Sequence, residues 1–113
     1  MTEPPMSEFV QVVTTSDSEE GAAKIARSSV EAHLAACAQV DGPIQSTYWW
    51  DGAVDASEEW RVTLKTSSDR CAELIEHVKG EHTYDVPEVL VTPVAAGNLD
   101  YLDWVRAETQ PRD

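Results

Sequence analysis

The sequence predicts an α+β fold of the ferredoxin-like type: βαββαβ plus an extra C-terminal helix, with an antiparallel sheet and both main helices on one face. Three observations carry this. Apolar, Val- and Thr-rich or alternating runs mark four strands. Two amphipathic stretches separate the first strand from the second and the third from the fourth. Between the middle strands stands Asp51-Gly52, and both residues tolerate the positive φ of a type I′ hairpin turn. Two right-handed split β-α-β units then bring the strands together antiparallel under both helices. A chain of 113 residues fits one domain, expected over 8–110, with a flexible tail over 1–7.

The elements follow in order. Glu8 to Thr15 reads as a strand. Ser16 with Glu19 forms a capping-box pattern, and Asp17, Glu19 and Glu20 suit the positive end of a helix. That helix is expected to run to about Ala36, with Ala22, Ile25, Ala26, Val30 and Leu34 as its apolar stripe. Cys37 to Trp50 reads as one long strand interrupted by a bulge or kink at Gly42-Pro43. The returning strand, Glu58 to Thr66, places Trp60, Val62 and Leu64 on one side and Glu59, Arg61, Thr63 and Lys65 on the other. Ser67-Ser68-Asp69 offers a cap for a second helix whose stripe is Cys71, Leu74, Ile75 and Val78, with Lys79 in its last turn and Gly80 at C′. Pro87 breaks the loop that follows and pushes Val86 to an extended state. Glu88 to Val94 is the fourth strand, and Asn98 caps a final helix over Leu99 to Glu108.

Charge narrows the function. The chain has 21 acids against 8 bases, a net charge of -13, spread over both halves. This opposes nucleic-acid binding, which needs clustered Lys and Arg, and docking on an anionic membrane. The acidity is either ordinary solubilising surface charge or adaptation to a salty medium that screens self-repulsion. Cys37 and Cys71 make no disulfide framework and are expected to be reduced. No apolar run is long enough to span a membrane, and the N-terminal segment lacks the apolar core of a signal peptide. A cytoplasmic location is expected.

Tyr48, Trp49, Trp50 and Trp60 crowd the long hairpin. Strand alternation cannot put all four into one small core, and exposed Trp in bulk is unfavourable. They are expected at an interface between copies of the chain.

Five motifs occur in one order over most of the chain: Leu34-Ala-Ala-Cys37, Tyr48-Trp-Trp-Asp-Gly52, Leu64-Lys-Thr66, His82-Thr-Tyr-Asp-Val-Pro-Glu88 and Gly97-Asn-Leu-Asp-Tyr-Leu-Asp-Trp104. In this the chain resembles the CutA family of divalent-cation tolerance proteins, over roughly Phe9 to Thr109. The resemblance implies a homotrimer of PII-like architecture closed by pairing of the long hairpins. It also implies a role in tolerance of copper and other divalent ions, with binding of Cu(II) or a similar cation and no required cofactor. Of the copper ligands proposed in a bacterial relative, only His82 carries over. Glu81 stands in place of a first histidine, Thr14 in place of a cysteine, and Thr83 where proline is usual.

Read from the residues alone, His33 and His77 are isolated, His77 pointing to solvent, while His82 shares a loop with Tyr84, Asp85 and Glu88. There is no nucleophile motif and no phosphate-cradling Gly-rich loop, so no enzyme is expected. The alternative function is a PII-like trimeric sensor or adaptor. Its inter-subunit cleft, lined by Trp50, Lys65, Tyr84, Asp85 and Glu88, would bind a small anionic ligand. The plainer reading of Lys65 is an ion pair with Glu88 or Asp85.

Overall fold

The structure, a computed structural model, describes residues 7–112. Its elements are β1 (Phe9–Ser16), α1 (Glu19–Glu31), β2 (Cys37–Trp50), β3 (Ala53–Ser67), a 3₁₀ turn (Ser68–Arg70), α2 (Cys71–Glu81), β4 (Val89–Pro93) and α3 (Leu99–Glu108). They form a four-stranded sheet of order β2-β3-β1-β4 with every neighbouring pair antiparallel, which is the predicted ferredoxin-like plan. Of the tail expected over 1–7, only Ser7 lies among the described residues, and its hydroxyl donates to the Val94 carbonyl at 2.5 Å.

Period-two alternation decides which sheet face is the core. Val10, Val12, Val62 and Leu64 project to the side covered by α1 and α2, where they meet Ala22, Ile25, Leu34, Leu74 and Val78. The opposite face is not wholly bare. Phe9 projects there from β1 and packs with Val105 of α3 and with Ala36 in a second, smaller cluster. The extra helix therefore covers one end of the sheet face that α1 and α2 leave open.

The hairpin outgrows the sheet. β1 pairs with β3 only from Trp60 to Ser67, so among the described residues Ala53–Glu59 pairs with no strand but β2. Residues 44–59 are thus a two-stranded ribbon, an arrangement of marginal stability alone in water. Its turn is the expected one, with Asp51 and Gly52 at φ of 49° and 81°. The kink also appears where predicted, as a register shift between Asp41 and Ile44 with a cis Gly42–Pro43 bond. A Cβ on Gly42 would lie 2.7 Å from Trp60 Cδ1, at a φ of 153°. Glycine lets the β2 backbone close over the indole. The one extra residue on β2 inverts its side-chain parity. Val40 opposes Val62 on the helix side, but beyond the shift Trp49 opposes Val54 on that side, and Tyr48 and Trp50 face away.

Several local expectations differ from the structure. α1 stops at Glu31, not near Ala36, because His33 takes a left-handed φ of 57° and turns the chain toward the sheet. Leu34 is buried, but from the connection and not from a helix. The α1 cap is Ser18, whose hydroxyl accepts from Gly21 N at 2.9 Å, while Ser16 ends β1 and is buried. The Ser67–Asp69 segment gives α2 no side-chain cap; a 3₁₀ turn runs directly into the helix. Gly80 lies within α2, which continues one residue to Glu81. His77 does not point into solvent alone: its Nε2 meets Ser28 Oγ of α1 at 2.8 Å.

Candidate functional site

The loop between α2 and β4 is placed by His82, the residue after the last turn of α2. Its Nε2–H donates to the Thr15 carbonyl at the end of β1 (2.5 Å), and its Nδ1 accepts from Tyr84 N–H (3.1 Å). This pattern assigns the neutral ring with its proton on Nε2. Both nitrogens are thus occupied within the chain. The Tyr84 ring lies 4.7 Å from the imidazole, tilted by 43°. Its hydroxyl reaches across the sheet to donate to Glu59 Oε2 at 2.9 Å. Glu59 is only 8% exposed, an unusual place for a carboxylate. Burial first, then the hydrogen bond and charge of Glu59, push the Tyr84 phenol well above the usual tyrosine range.

The other predicted site residues are divided between this loop and distant parts of the protomer. Asp85 and Glu88 are exposed in the same loop. Lys65 is four ladder positions from Arg61, the partner of Thr15, or about 13 Å along the strand. Trp50 pairs with Ala53 at the ribbon tip, about 20 Å beyond Glu59. A single subunit therefore brings His82 and Tyr84 into contact, with Asp85 and Glu88 exposed in the same loop, and leaves Trp50 and Lys65 apart from them. The ion pair of Lys65 with Glu88 or Asp85 does not form; its ammonium stands 5.9 Å from the Tyr101 ring centroid instead. Among the described residues no three His, Cys, Asp or Glu side chains converge as a metal-holding group. His33, read as isolated, places Nδ1 2.8 Å from the Glu108 carbonyl and ties the α1–β2 connection to the end of α3.

The aromatic residues divide. Trp60 is half-buried against the subunit's own core. Trp49 and Trp50 are 76% and 68% exposed, on opposite faces of the ribbon, and Tyr48 bonds Ser57 at 3.1 Å beside them. Glu59 was not singled out by sequence reasoning. Its place on the polar side of β3 was legible, but nothing in the sequence signalled that Tyr84 would reach it.

The motifs, the βαββαβ order and the long ribbon have a common explanation in the known proteins. The family model for the CutA1 divalent ion tolerance protein matches residues 10–108. The chain belongs to the CutA1 family. The divalent-cation tolerance protein CutA of Thermus thermophilus is 42% identical over 98 residues, covering 87% of this chain and 95% of its own. The chloroplastic protein CutA 1 of rice is 39% identical over 101 residues, which are 89% of this chain but only 57% of the rice protein. A solved structure of the Thermus thermophilus protein superimposes with a TM-score of 0.87 at 40% identity, covering 90% of this chain and 99% of that one.

Proposed function

We propose that this CutA1-family chain works as a cytoplasmic homotrimer in tolerance of divalent metal ions, holding Cu(II) or a similar cation weakly and catalysing no reaction. The observation that carries the weak-binding reading is the state of His82. Its Nε2–H is committed to the Thr15 carbonyl and its Nδ1 to the Tyr84 amide. A cation must displace one of these bonds before it gains a nitrogen ligand, and the carboxylates of Asp85 and Glu88, exposed in the same loop, do not converge on the ring to help hold it. Imidazole with carboxylates suits Cu(II) or Zn(II), whereas Cu(I) prefers the thiolate that Thr14 does not supply.

Support for the trimer comes from the ribbon. Among the described residues no strand pairs with the outer edge of β2, and the ribbon tip carries Trp49, Trp50 and Val54 exposed. The cytoplasmic reading agrees with the free state of Cys37 and Cys71. Calorimetric titration with Cu(II), on the parent and on His82→Ala, tests the metal reading. Loss of the more tightly bound ion in the variant is expected; superimposable titrations would remove His82 from the site.

A further inference from the structure

Seven of the eight Lys and Arg side chains have a carboxylate within 4.0 Å. Among the described residues Lys65 alone has none, in a chain with 21 acids. Its position explains this. Lys65 projects from the open face of β3 at the end where α3 crosses, opposite Gln11 of β1 and Cys37 of β2. There it lines a cavity of about 250 Å³ between α3 and the sheet. The walls are mainly apolar, from Phe9, Val94, Leu102 and Val105; the polar residues are Lys65, Gln11, Tyr101 and Thr66, whose hydroxyl is committed to the Leu34 carbonyl. The ammonium lies 5.9 Å from the Tyr101 ring centroid, a separation at which the ring face attracts a cation only weakly.

A half-buried cation with no carboxylate partner among the described residues of its subunit, beside an amide and against apolar walls, is complementary to an anion that carries an apolar body. The volume falls below that of sites for drug-sized molecules, which sets the ligand size. The rest of the surface, at a net charge of -13, repels anions. Retention of an anion would therefore depend on contacts inside the cavity and not on the general field. We propose that this pocket binds a small organic carboxylate, with its head on Lys65 and Gln11 and its short apolar body against Phe9, Leu102 and Val105. The site lies within one subunit and does not involve His82, so it is independent of the metal reading.

The experiment is amide shift mapping with phenylacetate and hexanoate on the full chain, in the presence of a chelator, with phenylacetamide and inorganic phosphate as controls. Saturable shifts confined to Phe9, Gln11, Lys65 and the first turns of α3 are expected. Phenylacetamide lacks the charge and phosphate lacks the body, so neither should reproduce them. Lys65→Met should weaken binding by about tenfold or more, the scale of a lost charge-assisted hydrogen bond, while Lys65→Arg keeps the charge and most of the affinity. Thermal melts of both variants should match the parent, since the side chain is half exposed. Absence of saturable binding by the parent, equal binding by Lys65→Met, or equal shifts with phosphate would overturn the proposal. So would a Lys65 ammonium that resists reductive methylation in the ligand-free assembly, because that outcome would show the pocket filled by a second copy of the chain.

Discussion

The strongest structural demand in this molecule is that of the ribbon tip, and replacing Trp49 and Trp50 together by Ser tests it. The two indoles are 76% and 68% exposed in the subunit. Taking about 250 Å² for a Trp side chain, they present about 360 Å² to water. If assembly covers half of that, about 180 Å² leaves water, worth about 4.5 kcal/mol per subunit at about 25 cal/mol per Å². Buried area does not convert directly into affinity, because association also costs rigid-body and side-chain freedom. Those costs are nearly shared by parent and variant, however, so the difference survives. At about 1.4 kcal/mol per tenfold, the double variant should assemble about a thousandfold less well. Sedimentation equilibrium across the micromolar range reads this directly. Circular dichroism on the same samples checks that the domain itself stays folded, which it should, since neither indole belongs to either core cluster. A variant with the parent's mass at every concentration, or a parent that is already monomeric, would refute the reasoning.

Three further outcomes are expected. Tyr84→Phe removes the donor to the buried Glu59 carboxylate and should cost about 1–2 kcal/mol at neutral pH, read by urea denaturation at fixed subunit concentration. Because the fold raises the Tyr84 phenol pKa, native protein holds that proton more tightly than unfolded chain; the stabilisation is complete below the ordinary tyrosine pKa of about 10 and is lost as pH rises through the folded value. The parent should therefore lose more stability at alkaline pH than Tyr84→Phe, and parallel curves would contradict the assignment. Thr14→Val deletes a fully buried hydroxyl that has no hydrogen-bond partner among the described residues, and should raise the urea midpoint by about 1 kcal/mol equivalent with the slope unchanged; a lower midpoint would show that the hydroxyl is satisfied after all. Added KCl should raise the melting temperature, since the acids repel one another within and between subunits; a flat or falling response up to molar salt would mark the charge as ordinary surface.

The parts of the fold that were legible in the sequence are those set by period and by turn chemistry. Alternation placed Val62 and Leu64 in the core, the Asp-Gly pair fixed the hairpin, and Asn98 capped α3, where its side chain accepts from Asp100 N. The end of α1 was not legible, because Ala32, Leu34, Ala35 and Ala36 continue a helical composition while His33 adopts a left-handed turn that long-range contacts hold. Thr66 donates to the Leu34 carbonyl and Ala36 N–H to the Lys65 carbonyl, so the sheet claims this segment from the helix. The same reason hid the groups of the proposed pocket. Lys65 was visible as a rare base, but its freedom from carboxylates depends on α3 crossing the open sheet face, and no local pattern encodes that crossing. Gln11 and Tyr101 gave no signal for the same reason.

The pairing pattern also bears on how metal uptake by this chain must be read. Seven of its bases are held at carboxylates, yet the 21 acids outnumber all bases by 13. An assembly of several copies multiplies that excess on one particle. Such a surface gathers divalent cations in proportion to its potential, without any ligand geometry, and monovalent salt screens the effect within about 10 Å at 0.1 M. The binding proposed at His82 would behave differently, because its cost would be the displacement of the Thr15 or Tyr84 hydrogen bond and its gain a coordinate bond to nitrogen. It should therefore persist at salt concentrations that abolish diffuse uptake. Cation affinity measured at one ionic strength mixes the two. Only the fraction that survives high salt and disappears in His82→Ala belongs to a site, and the remainder is a property of the charge that the sequence carries from its first line.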